Sequence, residues 1–247
     1  MRNIIRQIPN FITSLNLVSG SLAVFFAVDG HLIWAGIFIC LAAVLDFLDG
    51  FAARLLNAYS DMGKQLDSLG DLVSFGLAPA AILFTLLEFS MFGKNQPIYE
   101  IAAHWSQWLI LFSAFLMPVL GAVRLARFNN APEEGFFRGL PIPSNGLFWA
   151  SLGLMLEMPR YQQLFEMVYS TRTLLLLGLF TSGMMVINLP MFSLKFENLN
   201  WKENRHRFLF LAIALALLAI FNVYGLALII PAYIFLNFVL YLVGVKV

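Results

Sequence analysis

Residues 46 to 71 carry the groups best suited to chemistry. Asp46, Asp49, Gly50, Ala53 and Arg54 end one apolar run, and Gly63, Asp67 and Asp71 open the next. Asp46 and Asp49 are three apart and Asp67 and Asp71 four apart, so each pair shares one helical face. A connection of roughly a dozen residues, Leu55–Leu66, makes the two helices antiparallel neighbours of the kind short connections give. All four carboxylates then meet at one level, just inside a membrane face. Ionisable groups at that depth are costly and mark function, and four of one sign repel unless cations hold them together. Hard oxygen ligands suit Mg²⁺ or Mn²⁺. Gly50 and Ala53 leave room for a flat ligand against the backbone, and Arg54 offers a fixed positive charge to a phosphate.

These groups need a scaffold, and composition says which kind. The chain of 247 residues is 60% hydrophobic and only 12% charged, with a mean hydropathy of +0.81. Soluble domains are nearer half apolar and a quarter charged. The expectation is an all-α, polytopic transmembrane helix bundle of about eight spans. The apolar runs are Phe11–Val28, Leu32–Leu55, Leu66–Leu87, Trp105–Phe128, Leu140–Leu156, Leu174–Met191, Phe208–Tyr224 and Leu226–Val245. The third carries Pro79 and is expected to bend there. Before them, Met1–Pro9 sets Ile4, Ile5 and Ile8 against Arg2 and Arg6, the pattern of a short amphipathic interfacial helix that Pro9-Asn10 breaks from the first span.

With no repeat or linker in sight, residues 1–247 read as a single integral membrane domain, with a motif core over 9–145 and additional C-terminal spans over 172–245. A net charge of +1 gives no case for nucleic acid. The one cysteine, Cys40, cannot form an internal disulfide. With the N-terminus in the cytoplasm, only Lys94, Arg160 and Arg172 of the 15 lysines and arginines fall on the far side. The positive-inside rule favours that orientation and puts the aspartates at the cytoplasmic face.

A second constellation ends the fourth span. Arg124 and Arg127 are three apart, at the level of the aspartates. They read either as snorkelling anchors or as an anion clamp for a phosphate or a substrate carboxylate. Arg138-Gly139-Leu140-Pro141-Ile142-Pro143 follows, a stiff turn entering the membrane that either walls the site or simply starts a helix.

The spacing D-x2-D-G-x2-A-R-x8-G-x3-D-x3-D resembles the motif of the CDP-alcohol phosphatidyltransferase family, and Asp46, Asp49, Gly50, Ala53, Arg54, Gly63, Asp67 and Asp71 match every fixed position. Arg124–Phe128, Phe137–Pro143, Asp71–Pro79 and the segment Pro9-Asn10…Thr13…Leu15-Asn16…Gly20 resemble the phosphatidylserine synthase branch of that family. Phe51, where bacterial members often carry Arg or another polar residue, is a departure outside the fixed positions.

The resemblance implies transfer of a phosphatidyl group from CDP-diacylglycerol to the hydroxyl of L-serine, with release of CMP. It implies two divalent ions, Mg²⁺ or Mn²⁺, on Asp46, Asp49, Asp67 and Asp71, with Asp71 also the general base. It implies nucleotide contacts from Asp49, Gly50, Ala53, Arg54, Gly63, Asn10 and Thr13, although Asn10 and Thr13 could equally cap the first span. Arg124, Arg127 and Arg138 are the candidates for substrate or phosphate. The family also implies a homodimer in contact with membrane lipids, and the expected location is a bacterial inner membrane.

Two alternatives stand beside this reading. One keeps the family and changes the acceptor to glycerol phosphate, inositol phosphate or choline, with Lys64 and Arg138 as extra cations. The other is a cation-coupled transporter, which should show inverted repeats and a midplane site. His31, His104 and His206 are scattered and read as non-catalytic, and Asp61 as a solvated loop residue.

Overall fold

The computed structural model describes residues 7–130, 136–156, 162–192 and 201–244. Most of the expected interfacial helix, including Arg2 and Arg6, lies outside these residues, as do Arg160, Lys195 and Lys246. The architecture is helical, with one short pair of strands. The long apolar runs form helices because lipid offers backbone groups no alternative partner.

Helix α1 (Ile8–Val28) takes Pro9 in its first turn, a position that suits proline. Helix α2 (Leu32–Leu55) returns beside it. Ser60 caps α3 (Asp61–Asp71), its Oγ accepting the Gly63 N–H at 3.0 Å. A π turn (Leu72–Leu77) follows, then α4 (Ala78–Phe92).

The expected kink at Pro79 is therefore resolved differently. The hydrogen-bond register widens upstream, with the Ala78 N–H reaching the Val73 carbonyl. Pro79 has no N–H to give the Phe75 carbonyl, which instead receives a long bond of 3.4 Å from Asn145 Nδ2. Together Asp61–Phe92 makes a rod 78% buried over its apolar window, against 33% or less for the other five long helices, so it is the central post.

Helices α5 (Trp105–Phe112) and α6 (Leu116–Asn130) follow, joined by one tight turn into a single span. Strand β1 (Phe136–Arg138) leads to α7 (Ile142–Leu156). Then come α8 (Gln162–Val168), α9 (Thr171–Val186), strand β2 (Pro190–Phe192), α10 (Trp201–Phe221) and α11 (Val223–Leu242). The two strands pair antiparallel, Phe136 opposite Phe192 and Arg138 opposite Pro190.

Among the described residues, six helices are long and apolar enough to cross a membrane, or seven if α8 and α9, bent by 63°, count as one. The protein is an integral membrane protein. The run expected as a fifth span is shorter: 15 residues, about 22 Å of helix against a hydrocarbon core of about 30 Å. It is nonetheless a buried part of the bundle. It leaves the carboxylate end beside the end of α9, and Tyr169, just before α9, donates to the Leu152 carbonyl at 2.6 Å near its far end. So α7 and α9 run antiparallel.

Close approaches of backbone fix the central post. A Cβ on Gly20 would stand 2.6 Å from the Ser74 Cα, and one on Gly146 would stand 3.1 Å from the Phe75 Cα. Small residues therefore let α1 and α7 press directly on the π turn. The buried Ser74 hydroxyl donates to Asn16 Oδ1 at 2.7 Å, tying the turn to α1. Gly20→Ala is expected to destabilise the fold by about 1–3 kcal/mol through overpacking, read as a lowered unfolding temperature in detergent, whereas Gly183→Ala, which meets open space, should leave it unchanged.

Candidate active site at one end of the bundle

The last turns of α2 and the length of α3 carry the four aspartates. One carboxylate oxygen from each of Asp46, Asp49 and Asp67 lies within 4.8 Å of the others. Asp49 is buried, and Asp46 and Asp67 are half-buried. Asp71 stands outside this group of three, beside it, with Asp46, Asp67, Asp49 and Arg124 as its charged neighbours. The expected convergence is thus three close carboxylates and a fourth one turn deeper, next to the π turn.

The donor set fits a hard divalent cation. An octahedral Mg²⁺ with bonds of about 2.1 Å spaces its oxygens about 3–4 Å apart, a small closure from what is seen. Asp49 Oδ2 and Asp71 Oδ1 are buried with no hydrogen-bond partner, a costly state for carboxylate oxygens that a bound cation relieves. Asp46, Asp49 and Asp67 could together hold one ion, with Asp71 beside them.

The expected nucleotide contacts gather around this cluster. Arg54 Nη1 lies 3.6 Å from where a Gly50 Cβ would be, so the guanidinium folds back over that glycine. Asn10 meets Gly63: a Cβ there would come within 2.9 Å of Asn10 Oδ1. The Thr13 hydroxyl is in reach of both the Asp49 carboxylate and the Pro9 carbonyl, the latter at 3.0 Å. Its single proton serves one of them at a time. Ala53 is half-buried in the same turn as Gly50. The capping alternative for Asn10 and Thr13 fades, since α1 begins at Ile8, ahead of both.

The three arginines separate. Arg124 is 7% exposed, its Nε has no hydrogen-bond partner, and Asp71 and Tyr233 are its charged or polar neighbours. Arg127 is exposed and donates from Nη1 to the Val186 carbonyl at 3.0 Å, satisfying the end of α9. Arg138 is exposed on β1. Gly139 follows it with φ +75°, and a Cβ there would meet the Met185, Ile187 and Met184 carbonyl oxygens at 2.7–2.8 Å. Only glycine fits this place, on conformation and on space. The Leu140 N–H then donates to the Met184 carbonyl at 2.8 Å, so the stiff turn is welded to α9.

Ser68, Asn129 and Tyr233 carried no signal of their own. Lys64 Nζ donates to the Asn129 carbonyl at 3.1 Å, and Asn129 Nδ2 donates to Ser68 Oγ at 2.8 Å, fastening α3 to the end of α6. Tyr233 sits in the last apolar run, where hydropathy hides a single phenol. Its hydroxyl donates to the Phe192 carbonyl at 2.7 Å, and Asn237 Oδ1 on the same helix accepts the Phe192 N–H at 2.9 Å.

With this geometry in place, the known proteins can be set beside it. The sequence model described as CDP-alcohol phosphatidyltransferase matches residues 6–192. The chain belongs to the CDP-alcohol phosphatidyltransferase family. Among curated relatives, a CDP-diacylglycerol–serine O-phosphatidyltransferase of Bacillus subtilis is 36% identical over 141 residues, covering 57% of this chain and 71% of the relative. The protein of that name from Methanocaldococcus jannaschii is 37% identical over 140 residues, 57% of each chain. The one from Mycobacterium leprae is 34% identical over 148 residues, 57% of this chain and 44% of the relative. Family membership removes the transporter alternative.

Asp46→Asn, Asp49→Asn and Asp67→Asn are each expected to weaken Mn²⁺ binding at least about tenfold, since each removes one anionic ligand. Calorimetric titration of the purified protein measures this without any substrate.

Proposed function

We propose that this protein transfers the phosphatidyl group of CDP-diacylglycerol to L-serine, giving phosphatidylserine and CMP. The observation that carries the reading is the pairing of a three-carboxylate group within 4.8 Å with a buried aspartate and a buried arginine beside it. The serine assignment is supported by the names of the relatives.

In this reading Asp46, Asp49, Asp67 and Asp71 hold two divalent ions, Mg²⁺ or Mn²⁺. When bound, these ions neutralise the pyrophosphate and the charge that develops on the transferring phosphoryl group. Asn10, Thr13, Gly50, Ala53, Arg54 and Gly63 cradle the cytidine nucleotide. Arg124 anchors the serine carboxylate, an interaction that desolvation strengthens. The serine hydroxyl oxygen bonds to the phosphorus bearing the diacylglycerol, the bond from that phosphorus to the CMP oxygen breaks, and the hydroxyl proton passes to Asp71. Burial and three carboxylate neighbours suit Asp71 to taking that proton. Arg138 remains a candidate for a phosphate at the rim.

A phosphorylated acceptor would call for cations at the mouth. Lys64 donates to the Asn129 carbonyl and Arg138 is exposed, so the choice of an unphosphorylated acceptor is supported by the names of the relatives. The reading places the protein in a bacterial inner membrane, and the lysine and arginine distribution supports a site facing the cytoplasm. The reading includes a homodimer, as the family implies, which light scattering in detergent would test.

The test follows CMP release from CDP-diacylglycerol with Mg²⁺ or Mn²⁺ and, in turn, L-serine, glycerol phosphate, inositol phosphate and choline. Release is expected with L-serine alone and should stop on chelation. Asp71→Asn should lower kcat at least about 100-fold, and Arg124→Ala should raise KM for serine about tenfold or more. Release with a phosphorylated acceptor and none with serine would overturn the acceptor assignment while leaving the carboxylate chemistry standing.

A further inference from the structure

Helices α1 and α3 share a seam that runs down one side of the carboxylate group. Asn10 lies against Gly63 at one end of it, and Gly20 against Ser74 at the other. Between them, a Cβ on Gly70 would stand 3.6 Å from Asn16 Nδ2 and 3.7 Å from Thr13 Cγ2. One turn back along α1 from Asn16, the Thr13 hydroxyl reaches the Asp49 carboxylate. Asn16 itself touches Gly70 and Ser74, the two residues of the seam that bracket Asp71.

The Asn16 side chain is wholly buried, and its two ends differ. Oδ1 accepts the Ser74 hydroxyl at 2.7 Å, which leaves the NH2 end toward Gly70. Nδ2 has no hydrogen-bond partner, a costly state for a buried amide donor. On the acceptor side, Asp71 Oδ1 and Asp49 Oδ2 are buried and unpartnered as well. One orphaned donor and two orphaned acceptors therefore border the same stretch of the seam. A water molecule accepts from an amide and donates twice, and buried waters typically make about three hydrogen bonds to polar groups that are otherwise unmet. Gly70 leaves space for one, because no side chain stands between the amide and the carboxylate of the next residue.

We propose that Asn16 holds a buried water against the carboxylate group and is thereby a positioning residue for Asp71. The Asn16 amide donates to the water oxygen, and the water donates to Asp71 Oδ1, with Asp49 Oδ2 as its second acceptor. Each carboxylate oxygen keeps another lone pair for a cation, while the water fixes where that lone pair points. Outer partners of this kind tighten metal binding by ligating carboxylates. The proposal rests on the reading of these carboxylates as a cation site. Under it, α1 takes part in holding the ion without supplying a ligand.

Asn16→Leu keeps the branched shape and removes the donor. The Ser74 hydroxyl then still has the backbone carbonyl of residue 16 as an acceptor, at 3.1 Å. Gly70→Ala leaves Asn16 in place and sets a methyl group, in ordinary contact with Nδ2, at the proposed water position. Ser19→Ala is the control. It removes a different hydrogen bond of α1, from Ser19 Oγ to the Phe38 carbonyl at 2.7 Å. Two readouts are taken on the purified full-length protein. The first is Mn²⁺ affinity by calorimetric titration without substrate. The second is a metal-free crystal structure of the unmutated protein and of Asn16→Leu at a resolution that shows ordered water.

The unmutated protein is expected to show water density within hydrogen-bond distance of both Asn16 Nδ2 and Asp71, and Asn16→Leu to lack it. Asn16→Leu and Gly70→Ala should each weaken Mn²⁺ binding about tenfold, and Ser19→Ala should change it by less than about twofold. Absence of that density from the unmutated protein overturns the proposal, and so does an unchanged Mn²⁺ affinity in Asn16→Leu. An equal loss in Ser19→Ala overturns it too, because loosening of α1 would then be the cause. Should Asn16→Leu fail to fold, unchanged affinity in Gly70→Ala overturns it instead. If the unmutated protein binds no Mn²⁺, the cation reading falls, and the water density alone decides what Asn16 does.

Discussion

Everything at the active end depends on like charges being held together. Three carboxylates with oxygens within 4.8 Å of one another repel by roughly 3 kcal/mol per pair even at an effective dielectric of about 20. Helical scaffolding makes the arrangement possible, because the two pairs ride on rigid turns whose spacing the backbone sets. The repulsion is also what creates affinity. A site assembled from anions with unpartnered buried oxygens is stabilised most by the species that neutralises it, so a cation bound there would draw its affinity from the same strain that makes the site costly.

The central post takes that strain. Asp67 and Asp71 lead into a rod whose apolar part is largely buried. The π turn begins at the residue after Asp71 and is pressed by α1 and α7 through glycines. A π turn is a register defect that ordinarily relaxes. Here Ser74, Asn16 and Asn145 bond across it, and Pro79 withholds the N–H that an α register would need. The deepest carboxylate is thereby set by packing on three sides, the rigidity that the proposed role of Asp71 as general base would require.

Much of this was legible in the sequence. Asp46, Asp49, Asp67 and Asp71 announce themselves because charge in an apolar run is rare, and helical periodicity turns their spacing into shared faces. The roles of the arginines were not separable, since Arg124 and Arg127 differ only in which way a helix turns. One is buried against Asp71, and the other closes the end of α9. A disturbance of the helix near Pro79 was foreseeable, its π form was not, because that depends on neighbours far along the chain. Leu140–Leu156 read as an ordinary span since hydropathy reports burial and not whether lipid or protein does the burying. Tyr233 and Asn237 were hidden for the same reason.

The attachment of Phe192 to α11 bears on how the molecule is made. Membrane helices are inserted in chain order, so all the aspartates and Arg124 enter the bilayer well before Tyr233 and Asn237 are synthesised. Until α11 arrives, the Phe192 N–H and carbonyl have no partner from that helix, in surroundings where an unpaired peptide group costs several kcal/mol. The nascent protein therefore carries a complete set of motif residues without a settled strand beside them. The strand beside the motif residues is thus completed by a helix that carries none of the motif.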